Sequence, residues 1–84
     1  MKKFDDEKYY KVLNILNAKV PYKHADYFNS CLAGGVAQGK KITHNKIMKL
    51  LLNGVDDEFI NYNQALALNK IYVGMIDELN YMRG

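Results

Sequence analysis

The sequence predicts a small all-α protein, a compact bundle of four or five helices. Three observations support this class. Apolar residues recur at helical spacing along most of the chain, capping residues and glycines mark helix ends, and no segment shows sustained β alternation. The 84 residues have room for one domain, which we expect to span residues 1–84. A hydrophobic fraction of 49% is enough for a core without disulfides or metals.

The first predicted helix runs from Asp5 or Asp6 to Lys19. Both aspartates suit a helix N-terminus, where a carboxylate caps free amides and meets the positive end of the helix dipole. Pro21 ends this helix, because proline disfavours helical geometry in the residue before it. The same proline is well placed to be the first residue of the second helix.

The second predicted helix follows an apolar rhythm from Ala25 to Val36 and contains two adjacent glycines, Gly34 and Gly35. The pair is compatible with a helix end or with close approach of two backbones, and we favour a helix that is weakened or broken there. Gly39 is the stronger terminator.

The third predicted helix begins after Thr43, which is a good N-cap, with Ile42 and Ile47 placed as a hydrophobic staple. Gly54 is its expected left-handed end. The segment between is so apolar that we expect this helix to be mostly buried at the centre of the core. Asp56 is expected to cap the next helical start.

The last stretch, residues 61–83, predicts one long helix around which the others pack. Its apolar residues follow a 3–4 spacing over nearly three heptads. They are Tyr62, Ala65, Leu68, Tyr72, Met75, Leu79 and Met82. Such a stripe most often faces the protein's own core, but tyrosine and methionine also suit partner contacts, so a homodimer through the C-terminal helix is the alternative. The sequence leaves open whether residues 56–62 form a separate short helix.

Cysteine content and hydropathy favour a cytoplasmic protein that does not enter a membrane. Cys31 is the only cysteine, so no disulfide can form within the chain, which favours a reducing compartment. The longest strongly apolar run, residues 50–52, is far shorter than the ~20 residues of a membrane span. The first ten residues lack the apolar run of a signal peptide.

No motif indicates an enzyme, a cofactor or a metal site. His24, His44 and Cys31 are too few and too scattered for zinc, which takes three or four protein ligands. Cys31 lies among apolar residues, unlike an activated nucleophile. The acidic neighbours at 56–58 and 77–78 point about 100° apart on a helix and so cannot flank one substrate bond. We therefore expect a protein without catalytic activity.

Positive charge is concentrated in the middle of the chain. Residues 8–53 hold eight lysines against one acidic residue, whereas residues 54–84 hold five acidic residues against two basic ones. A polarised surface favours an acidic partner. Lysines that simply keep a small protein soluble would give the same pattern.

The predicted partner-binding residues lie between the second and third helices. They are Lys40, Lys41, Thr43, His44, Asn45, Lys46 and Lys49. Bare backbone amides of the glycine-bearing turn, together with Lys40 and Lys41, are suited to a phosphate or to a partner's carboxylate.

Residues 22–54 are predicted to form a helix, a glycine-bearing turn and a second helix that ends with Leu52, Asn53 and Gly54. This arrangement is similar to the helix-turn-helix of Cro-like and phage-repressor-like DNA-binding domains. The turn is longer than the usual three to four residues of that motif. Arginine, the commonest base-reading residue, occurs once, at Arg83.

We expect a small non-catalytic binding protein that docks stoichiometrically on a macromolecular partner, with protein favoured over nucleic acid. The composition is rich in asparagine and lysine and has seven tyrosines but no tryptophan. This usage resembles that of low-GC bacteria and their phages, which favours an inhibitor or counter-defence factor. Tyr22, Tyr27 and Tyr81 are further candidate contacts. The alternative function is a helix-turn-helix-like nucleic-acid-binding regulator that uses the same lysines.

Overall fold

The computed structural model describes residues 4–84, which form five α-helices and no strand. The helices are α1 (Asp6–Lys19), α2 (Asp26–Ala37), α3 (His44–Asp56), α4 (Tyr62–Val73) and α5 (Ile76–Arg83). The all-α class and the number of helices are confirmed. Within this described part of the chain, every helix is too short or too polar to cross a lipid bilayer.

The helices pack as two pairs joined by a shared core. α1 packs on α2 and α3 packs on α4, while α5 lies against α2 and α1. Phe28 of α2 lies against Gly54 of α3, and Tyr72 of α4 donates a hydrogen bond to Asn29 of α2. The largest fully buried side chains come from all five helices and include Leu16, Phe28, Ile47, Leu68, Tyr72 and Leu79.

The ends of α1 follow the prediction. Asp5 is the N-cap, and its side chain accepts a hydrogen bond from the Lys8 amide at 3.0 Å. The helix ends at Lys19, before Pro21. The prediction that Pro21 opens the second helix is wrong, because Tyr22 has extended backbone angles and only a 3-10 turn after it leads into α2.

α2 runs without a break through Gly34 and Gly35, so the alternative in which the helix is broken at this pair is wrong. A Cβ at Gly34 would meet nothing within 4 Å, whereas one at Gly35 would lie 3.3 Å from Ile42 Cδ1. The helix ends where predicted, at Gly39, whose φ of 75° is the left-handed conformation of a Schellman motif.

α3 begins as predicted but ends later. The Thr43 side chain accepts a hydrogen bond from the Lys46 amide at 3.2 Å, as expected of an N-cap. The helix passes through Gly54 and continues to Asp56, so the predicted end at Gly54 is wrong. A Schellman motif follows in which Glu58, with a φ of 64°, takes the left-handed position.

Gly54 is needed for a contact between helices. A Cβ at this position would overlap the Phe28 ring, at 2.7 Å from Cε1 and closer still to Cζ. Gly54 and Phe28 are both buried. The glycine therefore lets α3 approach the ring on α2.

Replacing Glu58 with glycine is expected to raise the free energy of unfolding by about 1 kcal/mol. The left-handed conformation costs a residue with a side chain roughly 1–2 kcal/mol, and glycine's larger unfolded-state entropy offsets part of that gain. Thermal unfolding followed by circular dichroism should show a melting temperature ~4–8 °C higher. Gly39→Ala is the control and should lower it, because this change introduces the same strain. A lower melting temperature for Glu58→Gly would contradict the prediction.

The predicted single long C-terminal helix is wrong. α4 begins with Asn61 as N-cap, in a capping box with Gln64, so Asp56 does not cap this start. The chain breaks at Gly74 and Met75, where the Met75 amide bonds to the carbonyl of Tyr72, three residues back, at 2.9 Å. The helices on the two sides of the break pack against different parts of the protein: α4 lies on α3, whereas α5 lies on α1 and α2. Residues 57–61 form a connection and not a further helix.

Candidate partner-binding surface

The structure places the predicted partner-binding residues on the connector between α2 and α3, residues 38–43, and on the first turns of α3. Lys40, Lys41, Thr43, His44, Asn45, Lys46 and Lys49 are all exposed except the half-buried N-cap Thr43. We call the four lysines at positions 40, 41, 46 and 49 the basic surface. The Lys46 ammonium donates a hydrogen bond to the carbonyl of Lys41 at 2.7 Å, which ties α3 to the connector.

Asn80 of α5 fixes the connector. Its Oδ1 accepts a hydrogen bond from the Ile42 amide at 2.8 Å, and its Nδ2 donates to the Ile42 carbonyl at 2.8 Å. Both backbone groups of Ile42 are thereby satisfied, although the residue lies outside any helix. Sequence reasoning missed Asn80, because it lies 38 residues from Ile42 and nothing local to either marks the pairing.

The predicted bare amides of the glycine-bearing turn are not free. The Gly39 amide bonds to the Val36 carbonyl at 2.9 Å and the Lys40 amide to the Gly35 carbonyl at 2.9 Å, as the Schellman motif requires. The Ile42 amide is taken by Asn80. These three amides are therefore not available to an anion, which the lysine side chains can still attract.

An open groove of about 430 Å³ lies between α2 and α3. We call it the α2–α3 groove. It is lined by Cys31, Leu32, Gly34, Gly35, Gln38, Lys40, Ile42, Lys46 and Leu50. The lining is mainly apolar, and the two lysines belong to the basic surface.

α3 is not the buried centre of the core. Its buried residues are Ile47, Leu51 and Gly54, whereas Met48 is 39% exposed and Leu52 is 41% exposed. These two exposed side chains line a second groove of about 380 Å³ on the outer face of α3. That groove also includes Asn45, Lys46 and Lys49. Apolar and basic side chains are therefore mixed on one face.

No carboxylate of residues 4–84 forms an ion pair with the basic surface. Across residues 4–84, the one ion pair joins Lys19 to Glu78, at 3.0 Å between Nζ and Oε2. The four lysines of the basic surface thus have no carboxylate partner in the described chain. Neighbouring ammonium groups that are not neutralised create a positive potential that attracts acidic groups.

The middle of the apolar stripe of the C-terminal stretch packs into the protein's own core. Ala65, Leu68, Tyr72, Met75 and Leu79 are all buried. The two ends of the stripe are not buried, since Tyr62 is 59% exposed and Met82 is half-buried, and a homodimer through the C-terminal helix stays a prediction. The predicted contact residues Tyr22, Tyr27 and Tyr81 are exposed by 48%, 55% and 87%, and Tyr27 packs beside the exposed Phe59 with ring centroids 5.3 Å apart.

The histidines and the cysteine remain separate. His24 stacks on Tyr22 with ring centroids 5.5 Å apart, His44 is exposed on the first turn of α3, and Cys31 is half-buried beside the α2–α3 groove. No group of three or more histidine, cysteine or acidic side chains in residues 4–84 is placed to hold a metal ion.

Comparison with protein-family models, with curated proteins and with solved structures finds no match for this chain.

Proposed function

We propose that this is a small non-catalytic binding protein that docks stoichiometrically on an acidic macromolecular partner. The observation that carries the proposal is the basic surface, four exposed lysines without a carboxylate partner in residues 4–84. They lie on a connector that Asn80 holds in place and on the helix that follows. Charged residues arranged in this way steer an oppositely charged partner and select against like-charged ones.

A protein partner is favoured over a nucleic acid because apolar side chains share the surface. Met48 and Leu52 lie exposed next to Lys49. Protein interfaces combine apolar contact with a polar rim. A phosphate backbone offers acceptors for the lysines but nothing comparable for a methionine and a leucine.

The biological role that we propose is inhibition of the partner, as in a phage-encoded or mobile-element counter-defence factor. Small size and the asparagine-rich, lysine-rich and tryptophan-free composition support this role. Such an inhibitor acts by covering an acidic surface that its target needs. That mode of action requires no reaction and no cofactor.

The combined substitutions Lys40→Glu and Lys41→Glu are expected to abolish capture of the partner. The measurement is an affinity pull-down from a nuclease-treated lysate of a low-GC bacterium, followed by the mass of the complex in light scattering to establish its stoichiometry. The control carries the same charge change at two exposed lysines elsewhere, Lys11→Glu on α1 and Lys70→Glu on α4. Equal capture by both double variants would show that the basic surface is not the docking site.

A helix-turn-helix-like nucleic-acid-binding regulator is the second candidate. It is supported by His44 and Asn45, which are exposed at the N-terminus of α3 beside the lysines, where that motif presents base-contacting side chains. The connector of residues 38–43 is longer than the three to four residues usual for the turn. Binding to duplex DNA should weaken steeply with salt, by about one counterion for each lysine engaged. The absence of a mobility shift at low salt would exclude this candidate.

A further inference from the structure

We infer that the partner presents an acidic amphipathic helix, which places its apolar face in the α2–α3 groove and its carboxylates against Lys40 and Lys46. This inference rests on the proposed function, because it names the element by which the acidic partner is recognised.

The groove has apolar surface that the fold leaves open. Leu32 and Ile42 are nearly buried, but Leu50 and Cys31 are only half-buried and line the same groove. A volume of about 430 Å³ is in the range of pockets that take up small ligands. Apolar side chains of a partner would remove this surface from water, which favours association.

The backbone of α2 is accessible on one side of the groove. A Cβ at Gly34 would meet nothing within 4 Å, so the space beside this residue is empty. Without a side chain there, another backbone can approach α2 closely. A groove between two helices is the usual receptor for a helical segment. The described chain has no strand, and so no sheet edge that could accept an extended peptide.

Charge at the groove selects an acidic helix. Of the described residues that line it, Lys40 and Lys46 are cationic and none is acidic. The hydrogen bond from Lys46 to the Lys41 carbonyl already holds one ammonium near the connector. When the apolar side chains of the partner's helix enter the groove, carboxylates on the edges of that apolar face would contact Lys40 and Lys46.

A second copy of this chain does not fit this description. α5 begins with Asp77 and Glu78, but its Leu79 is fully buried. The acidic residues that follow α3 precede α4, whose Ala65 and Leu68 are also buried. The first turn of α1 is also acidic, at Asp6 and Glu7, but the apolar face of that helix is buried at Val12 and Leu16. None of these segments offers a free apolar face with acidic edges, so the occupant is a different protein.

The test uses two synthetic 16-residue peptides made of leucine and glutamate. In the first, leucines at i, i+3, i+4, i+7 and i+11 form one face; in the second, the same residues are scrambled around the helix. Titrated into the ¹⁵N-labelled protein, the first should bind roughly tenfold more tightly, because only it can bury leucines while its glutamates face the lysines. The amides of Gly34 and Gly35 should shift with that peptide.

Two substitutions at Gly34 separate binding from folding. Gly34→Gln extends a side chain into the groove from a position with open space, in a helix that favours glutamine over glycine, so the fold should remain stable. It should remove the preference for the first peptide, whereas Gly34→Ala, which adds only a Cβ, should reduce the preference less. Lys40→Glu with Lys41→Glu should weaken both peptides.

The outcomes distinguish the inference from the proposed function. If both peptides bind equally and the double lysine variant binds neither, the basic surface is the site of acidic binding and the inference of an amphipathic helix is wrong. If Gly34→Gln leaves the preference intact, or if neither peptide binds, the groove is not the receptor, and the pull-down alone decides the proposed function. If duplex DNA binds and neither peptide does, the inference and the proposal of a protein partner are both wrong, and the nucleic-acid-binding regulator is supported.

Discussion

Replacing Gly54 with alanine is expected to lower the free energy of unfolding by about 1–3 kcal/mol, although alanine is the better helix former. The added Cβ would lie 2.7 Å from Phe28 Cε1 and closer to Cζ, well inside van der Waals contact. Phe28 has no exposed surface, so its ring cannot turn outward into solvent. Either α3 shifts away from α2 or the ring leaves its rotamer, and both disturb a close-packed core.

Gly34→Ala is the matched control and should have the opposite sign. It is also a glycine within an α-helix, but its Cβ would meet nothing within 4 Å. Reduced entropy of the unfolded chain and better helix propensity should stabilise the protein by about 0.5–1 kcal/mol. Urea denaturation of both variants measures the difference. Equal effects would show that the contact with Phe28 does not constrain position 54.

A double variant identifies the cause of the loss. Phe28→Leu shortens the side chain opposite Gly54, so Gly54→Ala should cost less in that background than in the wild type. The difference between the two costs is the coupling energy of the pair. Additive effects would place the strain somewhere other than this contact.

Tyr72→Phe is expected to cost about 1–3 kcal/mol of unfolding free energy, although it removes a single oxygen. The Tyr72 hydroxyl donates to Asn29 Oδ1 at 2.6 Å, and neither residue has exposed surface. Asn29 Nδ2 in turn donates to Asn17 Oδ1 at 3.1 Å and to the Val20 carbonyl at 3.2 Å. Without the hydroxyl, Oδ1 is left in the core with no donor, and this desolvated acceptor is the main loss.

Tyr9→Phe is the matched control for that substitution. Its hydroxyl also bonds to a side chain, Ser30 Oγ at 3.2 Å, but at a half-buried site. Water can replace the lost partner there, so the cost should be much smaller. Thermal unfolding of both variants should show a clear drop in melting temperature for Tyr72→Phe alone. Similar drops would contradict the special role of the buried network.

The same burial makes stability depend on pH at the alkaline end. Burial raises the pKa of Tyr72 far above its ordinary value of 10. Above about pH 10 the unfolded chain releases this proton while the folded protein keeps it, so the free energy of unfolding falls, by up to ~1.4 kcal/mol per pH unit. Below pH 10 this contribution is fully present. Denaturation between pH 8 and 11 should show the loss in the wild type and a flatter profile in Tyr72→Phe.

Helix ends were predictable where a few neighbouring residues decide them. Asp5 and Thr43 cap their helices with their own side chains, and Gly39 ends α2 through its own backbone angle. Gly54 looked equivalent to Gly39 in the sequence. It serves a contact with Phe28, 26 positions earlier, which no local pattern reveals.

The last two helices could not be separated from the sequence, because the 3–4 apolar spacing continues across the break. Tyr72, Met75 and Leu79 are all buried, so the stripe is confirmed across the break, whereas Tyr62 at its start is 59% exposed. What changes at Gly74 is the set of helices against which the stripe packs, and hydrophobicity alone does not distinguish one packing partner from another.

Much of the candidate site was predictable because lysines in polar segments are normally exposed. The α2–α3 groove was not, since it depends on α2 continuing through Gly34 and Gly35. The open face of α3, with Met48 and Leu52, was not predictable either, because so apolar a helix was expected to be mostly buried.

The two hydrogen bonds between Asn80 and Ile42 affect the thermodynamics of association. Asn80 already orders the connector in the free protein. Complex formation would therefore not carry the loss of conformational entropy that ordering a flexible loop requires. The speed of encounter would then be governed by long-range attraction between opposite charges, without a folding step in between.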